Sequence, residues 1–308
     1  MVTKIIHGNQ PFTEGGIKDK PIHVYGDKVG VFIYPDWPSN SLEFSDLNLC
    51  YVMADGILCA TYELGPGGYF SPPDYHPGDE PYIILEGTLT MLNNETGQTV
   101  NIKKGEAILM PKGAVHSGYN FTNEKVRVLA MIAPKDVEDQ SYPTDKAGCY
   151  KLFQGKNNDK FAPFKPRDYP SRIGTLDDLG AWPISGEEAR AYPYHFYYIP
   201  EERKLLAIHG QENPILFKFC VSNDFIHVAQ IVIPSGGKGC RMSEPICVAG
   251  KSIIFVDDDA PVTIFAHDTK ETFYLRAREA LYLPEKATFT VLNYENTVKE
   301  FVFLTNKL

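Results

Sequence analysis

Two stretches of this 308-residue chain gather side chains that could hold a metal ion. The first reads Gly68-x5-Asp74-x-His76-x3-Glu80-x6-Gly87, the second Gly105-x5-Pro111-x-Gly113-x2-His116-x3-Asn120. Imidazole and carboxylate donors suit one borderline divalent ion, of the class Fe, Mn, Zn, Ni or Co. On an extended strand, residues two apart face the same way. Asp74 and His76 can therefore point together, and Glu80 keeps the parity. His116 has to arrive from another strand, and Pro111-x-Gly113 is the turn that re-aims the chain to deliver it. Taken singly, each residue has a plainer reading: His76 as a solvated loop histidine, His116 as a satisfied core histidine, Asp74 as a turn residue beside Pro73. Only the combination argues for a site. Four protein donors on a six-coordinate ion leave two positions for a chelating substrate, whereas tetrahedral zinc would be closed and structural.

The elements that must position these groups read as short strands. Ile57–Leu64, Tyr82–Leu85, Thr88–Leu92, Thr99–Ile102, Ala107–Met110 and Val126–Ile132 are apolar and β-branched, broken by Gly65-Pro66-Gly67-Gly68, Glu86-Gly87, Asn93-Asn94 and Lys103-Lys104-Gly105. The same texture returns at Leu216–Cys220, Ile226–Ile233, Ser252–Val256, Val262–Phe265, Thr272–Leu275 and Phe301–Leu304. Many short, evenly spaced strands predict an all-β sandwich or barrel. Helical periodicity is confined to Pro134–Gln140 and Gly186–Ala191.

A faint internal repeat runs through the chain. Asp55-Gly-Ile-Leu-Cys-Ala…Gly67-Gly68 lines up with Asp224-Phe-Ile-His-Val-Ala…Gly236-Gly237, Glu106–Pro111 with Glu279–Pro284, and Asn120 with Asn293. Repetition of a whole all-β unit predicts two copies of one barrel. We place the first at 1–136 with a leading arm, an irregular proline-rich connector at 137–200, and the second barrel at 201–308. The prolines between 163 and 200 forbid a continuous helix or central strand there.

The two glycine-framed motifs resemble those of the cupin superfamily, G-x5-H-x-H-x3,4-E-x6-G followed by G-x5-P-x-G-x2-H-x3-N. Every defining position over residues 68–120 matches except that Asp74 stands where the family has its first histidine. The resemblance implies two jelly-roll (double-stranded β-helix) barrels in one chain, a bicupin. It also implies a metal held by Asp74, His76, Glu80 and His116, with Asp74 either ligating or orienting a ligating imidazole. In the second copy the aligned positions read Ser243, Pro245, Ala249 and Phe289, which predicts a degenerate barrel without metal.

Cupins with such motifs include isomerases, epimerases, lyases, dioxygenases and decarboxylases, and the fold does not choose among them. The leading expectation is a metal-dependent isomerase or lyase on a small polyhydroxylated (sugar-like) or carbonyl substrate. The metal would polarise its oxygen and stabilise an enediolate. Tyr82, two residues beyond Glu80, shares its direction as a candidate acid or base, although core packing explains it equally well. Tyr62 and Glu63 are neighbours on one strand, so one of them faces the cavity. The alternatives are a mononuclear non-haem Fe(II) dioxygenase acting on a phenolic or hydroxy-acid substrate and a non-enzymatic small-ligand binder.

The net charge of −9 and pI near 5.4 argue against nucleic acid or an anionic membrane surface as partner. No apolar run approaches the roughly 18 residues needed to span a bilayer. Residues 1–16 hold no signal-peptide core. Six scattered cysteines without a C-x-x-C pair fit free thiols in a reducing compartment. The N-x-T triplets at Asn94 and Asn120 are read as chance matches. A cytoplasmic homodimer binding a small molecule is the expectation.

Overall fold

The computed structural model describes residues 4–7, 20–26, 29–33, 48–54, 56–69, 75–134, 181–191, 195–257 and 261–308. Asp74, Cys149, most of the connector and all but the first residue of the expected helix Pro134–Gln140 lie outside them.

The first half contributes β1 (Lys4–His7), β2 (Ile22–Val24), β3 (Gly30–Ile33), β4 (Asn48–Ala54), β5 (Ile57–Leu64), β6 (Glu80–Glu86), β7 (Thr88–Asn93), β8 (Thr99–Lys103), β9 (Ala107–Met110), β10 (His116–Tyr119) and β11 (Val126–Ile132). The short helix α1 (Gly186–Ala191) falls where its pattern predicts, followed by β12 (Tyr197–Ile199). The second half runs through β13 (Leu205–His209), β14 (Ile215–Ser222), β15 (His227–Ile233), β16 (Arg241–Met242), β17 (Ile246–Cys247), β18 (Ser252–Val256), β19 (Val262–Ala266), β20 (Glu271–Leu275), β21 (Glu279–Leu283), β22 (Thr288–Asn293) and β23 (Lys299–Thr305).

Each half pairs a large sheet with a small one. The first has β1-β3-β4-β5-β11-β6-β9-β12 facing β10-β7-β8. The second has β13-β14-β15-β23-β18-β21-β2 facing β16-β22-β19-β20, with β17 beside β22. Facing antiparallel sheets of this kind are the jelly-roll solution for closing a barrel. Two strands cross over: β2 pairs with β21 in the second barrel, and β12 with β9 in the first.

Strand parity explains the apolar runs. In β11, Val126, Val128 and Ala130 join the interior of the first barrel, while Leu129 and Met131 join a separate cluster shared with the second barrel. Tyr82 and Ile84 against Ile83 and Leu85 repeat the pattern on β6, as do Ile108 and Met110 against Ala107 and Leu109 on β9. In the second barrel Phe301 and Phe303 face inward, while Val302 and Leu304 join the shared cluster. The large sheets thus pack back to back, with Tyr51 edge-on to Phe255 at 4.9 Å between centroids. Strands buried on both faces lose the polar alternation of a half-exposed sheet, hence the unbroken apolar stretches. Each fully buried Val, Leu, Ile or Phe contributes about 1.5–3 kcal/mol.

The repeat is visible in equivalent hydrogen bonds. Asn120 Nδ2 donates to the Leu64, Gly65 and Glu124 carbonyls, and Asn293 Nδ2 donates to those of Pro234 and Thr297. Each asparagine also accepts with Oδ1 the amide two residues on, from Thr122 or Glu295. Glu106 accepts the Lys103 amide as Glu279 accepts that of Arg276. At Gly87 the left-handed φ of 74° and a contact with the Lys125 carbonyl that any Cβ would make at 2.4 Å require glycine.

Candidate metal centre

Glu80 opens β6 and His116 opens β10, at one end of the first barrel. Tyr82 shares the inward face of β6 with Ile84 and belongs to the barrel interior. His76 lies in the loop before β6, so turn geometry rather than strand alternation aims its ring. That loop is held by the Gly113 amide, which donates to the His76 carbonyl at 2.9 Å. Gly113 itself takes φ 81°, the left-handed conformation that the Pro111-x-Gly113 turn needs.

The three side chains converge. His76 Nε2 lies 3.4 Å from Glu80 Oε1 and His116 Nε2 lies 3.1 Å from Glu80 Oε2. One donor atom from each falls within 4.8 Å of the others. Glu80 and His116 are almost fully enclosed, while His76 keeps a fifth of its side chain exposed on the open side. Asp74, the remaining member of the predicted set, lies outside the described residues.

Donor chemistry tests whether these residues fit a cation. His116 Nδ1 sits 2.9 Å from the Ala114 carbonyl, which can only accept, so Nδ1 carries the proton. A neutral ring then turns its Nε2 lone pair toward a carboxylate oxygen 3.1 Å away. Two acceptors at that distance repel unless a proton or a cation lies between them. A backbone carbonyl that takes the proton of one nitrogen and turns the other toward the ion is how a ligating imidazole is set. The set fits a divalent ion.

Burial raises the pKa of Glu80. With protons rather than a cation in the centre, the charges of His76 and His116, with hydrogen bonds from His116 and Tyr82, outweigh it and hold the carboxyl below its usual range. Tyr62 moves the other way. Burial, then the Glu80 charge, push its hydroxyl well up, partly opposed by a hydrogen bond with Tyr82. The Tyr62 and Tyr82 rings meet edge-on at 5.5 Å, and Tyr82 is edge-on to His116 at 6.2 Å. Of the neighbours Tyr62 and Glu63, Tyr62 is the one that faces the barrel interior. Glu63 points away, 3.4 Å from Lys125 Nζ and 3.8 Å from Arg127 Nε, in a largely buried ion-pair network that also takes in Glu86.

One residue of this region escaped sequence reasoning. Asp79, next to Glu80, is fully buried and accepts the Lys112 amide at 2.9 Å and the Asn223 side-chain amide at 3.1 Å. Burial raises its pKa, opposed by those donors and Arg190. An aspartate between Gly78 and Glu80 reads as a turn residue, and its burial depends on a partner more than 140 residues away.

In the second barrel, register identifies the true counterparts. Glu80 pairs with Met110 and Ser252 with Leu283, so Ser252, rather than Ala249, stands opposite Glu80. By the same reading Ile254 replaces Tyr82, Ile231 replaces Tyr62, and Phe289 replaces His116. Phe217, Phe219, Phe289 and Phe303 fill that barrel, with centroids 5.6–6.2 Å apart.

Comparison with known proteins agrees with this architecture. Residues 60–132 match the family model of the cupin domain. A germin-like protein, subfamily T member 2 of Arabidopsis thaliana, is 30% identical over 96 residues, covering 30% of this chain and 41% of the relative. The chain therefore matches less than half the length of that relative. Among solved structures, a Pseudomonas aeruginosa protein described as glyoxylate-induced covers 100% of this chain and 96% of its own at TM-score 0.59 and 12% identity. The oxalate decarboxylase of Lactobacillus farciminis, in its formate complex, covers 95% and 87% at TM-score 0.56 and 14% identity. At such identities the likeness is one of fold. No helix among the described residues is long and apolar enough to cross a membrane. Residues 60–132 match the cupin domain, and the described residues have the two-barrel fold of the bicupins.

Proposed function

We propose that this chain is a metal-dependent enzyme of the isomerase or lyase class, acting on a small oxygen-rich substrate that chelates an ion held by His76, Glu80 and His116. The convergence of their donor atoms within 4.8 Å carries this reading. Asp74 is proposed as the fourth donor. With both carboxylates the centre is close to neutral, which favours a hydroxy-carbonyl or polyhydroxylated substrate over a strongly anionic one.

When bound, the metal supplies Lewis acidity toward a substrate oxygen. The protein's own groups do the rest. His116, fixed by the Ala114 carbonyl, and Glu80, held by Tyr82, keep their geometry without reorganisation. Tyr62, whose hydroxyl burial and the Glu80 charge keep protonated, is suited to donate a hydrogen bond to a substrate oxygen rather than to transfer its proton. The apolar walls formed by Ile84, Met91, Ile108 and Val128 keep water from the reacting atoms.

A second reading rests on the donor set itself. Two histidines and one carboxylate are the facial arrangement of non-haem Fe(II) oxygenases. Assaying neutral sugars, hydroxy-carbonyl compounds and phenolic acids with Mn, Co or Fe(II), with and without oxygen, separates the two. Turnover with Mn or Co and no oxygen consumption supports the isomerase or lyase. A strict need for Fe(II) and oxygen transfers the assignment to the dioxygenase. Ligand binding that survives complete metal removal in H116A makes the chain a non-enzymatic binder.

A further inference from the structure

The second barrel has neither a carboxylate nor an imidazole at the positions matching Glu80 and His116, yet it reaches that centre through one side chain. Asp79 sits directly before Glu80 and is fully enclosed. Its backbone pairs both ways with Ala133, the amide donating at 3.0 Å and the carbonyl accepting at 3.1 Å. Its Oδ1 accepts the amide of Lys112, in the turn that delivers His116. Its Oδ2 accepts from Asn223, in the β14–β15 connection of the second barrel. Arg190 of α1 approaches Oδ1 at 3.6 Å while its guanidinium lies 3.4 Å over the Phe225 ring of that same connection. Asn223 is fixed in turn, since its Oδ1 accepts the amides of Phe225 and Ile226. The Gly113 amide meanwhile ties the His116 turn to the His76 carbonyl. One carboxylate therefore joins the Glu80 strand, the His116 turn and the second barrel.

We infer that Asp79 is a positioning residue through which Asn223 of the second barrel fixes the relative placement of Glu80 and His116. This rests on the metal reading above and deepens it, giving the second barrel a part in the centre beyond filling space. A buried carboxylate with two strong donors has few alternative orientations. Outer partners of metal ligands set affinity by holding the ligands where the ion needs them.

The experiment is Co(II) titration of the apoprotein, following both affinity and the visible d–d band, with thermal unfolding of each variant measured alongside. D79N turns an amide donor toward the Asn223 donor, and N223A removes the donor altogether. Both should weaken Co(II) binding by about 10–100-fold and shift the band. The exchange D79N/N223D restores a donor facing an acceptor across the same gap and should recover most of the affinity and the original band. D257N, which breaks the Arg127–Asp257 link between the barrels away from the centre, should leave both unchanged. If D79N does not fold, N223A and the exchange still decide the matter. Wild-type affinity and an unshifted band in N223A overturn the inference. So does a loss in D257N equal to that in N223A, because the effect would then be general loosening. Wild-type protein that binds no Co(II) overturns the metal reading and this inference with it. Binding by the wild type with no effect in the variants overturns the inference alone.

Discussion

The two barrels share a frame down to single hydrogen bonds, with Asn120 and Asn293 closing the same turn in each. What fills the frame differs. Where the first barrel has Glu80, Tyr82, Tyr62 and His116, the second has Ser252, Ile254, Ile231 and Phe289. Three of the four replacements are apolar, and the ring of Phe289 packs 6.0 Å from that of Phe303. The hydrogen bonds and glycine turns that build a jelly roll are thus independent of the side chains His76, Glu80 and His116 gathered in one of the two barrels. A site is an addition to the fold.

Copying the second barrel into the first should produce the largest effect. E80S removes the carboxylate that both imidazoles approach. Co(II) affinity is expected to fall by more than the roughly 10–100-fold that loss of an outer partner costs, with the fold retained by circular dichroism. Unchanged affinity would mean that the two barrels do not differ in the way proposed. The converse substitution tests the second barrel as a packed body. F289A leaves a cavity among Phe217, Phe303 and their neighbours and should cost about 3–5 kcal/mol in urea unfolding, while Co(II) binding in the first barrel persists. A small loss of stability would show that this interior is loosely filled.

Acid sharpens the contrast next. His227, at the start of β15, is held at a pKa of about 4 by burial, partly opposed by the charge of Asp224. The unfolded chain titrates this ring near 6.5. Between those values the unfolded state binds more protons, so this contribution is complete above about pH 6.5 and is lost as pH falls toward 4. Between pH 7 and 4.5, wild type should therefore lose about 2–3 kcal/mol more than H227N. Parallel pH slopes for the two proteins would refute the assignment. The smallest effect belongs to Glu63. E63Q should leave metal affinity intact, because its partners Lys125 and Arg127 stand away from the interior of the first barrel, Arg127 reaching Asp257 of the second. A clear drop in Co(II) affinity would return Glu63 to the site.

Much of this was legible in the sequence. Strand runs such as Ala107–Met110 and Val126–Ile132 end where their glycine and proline breakers stand. The fixed spacings of the two motifs brought His76, Glu80 and His116 into one cluster, although strand parity was the wrong reason for His76. What could not be read depends on distant partners. Nothing local in Ile22–Val24 or Tyr197–Ile199 specifies which barrel each strand joins. The choice between Tyr62 and Glu63 required the register of β5 against β11. Asp79 drew no reading because Asn223, its partner, belongs to the other half of the chain.

The most direct test is the number of transition ions bound per chain, measured by Co(II) titration of apoprotein with elemental analysis of the product, in wild type and H116A. The account predicts one ion per wild-type chain and none held at comparable concentration by H116A. A wild-type chain that takes up no ion, or an H116A variant that binds as tightly as its parent, would contradict it.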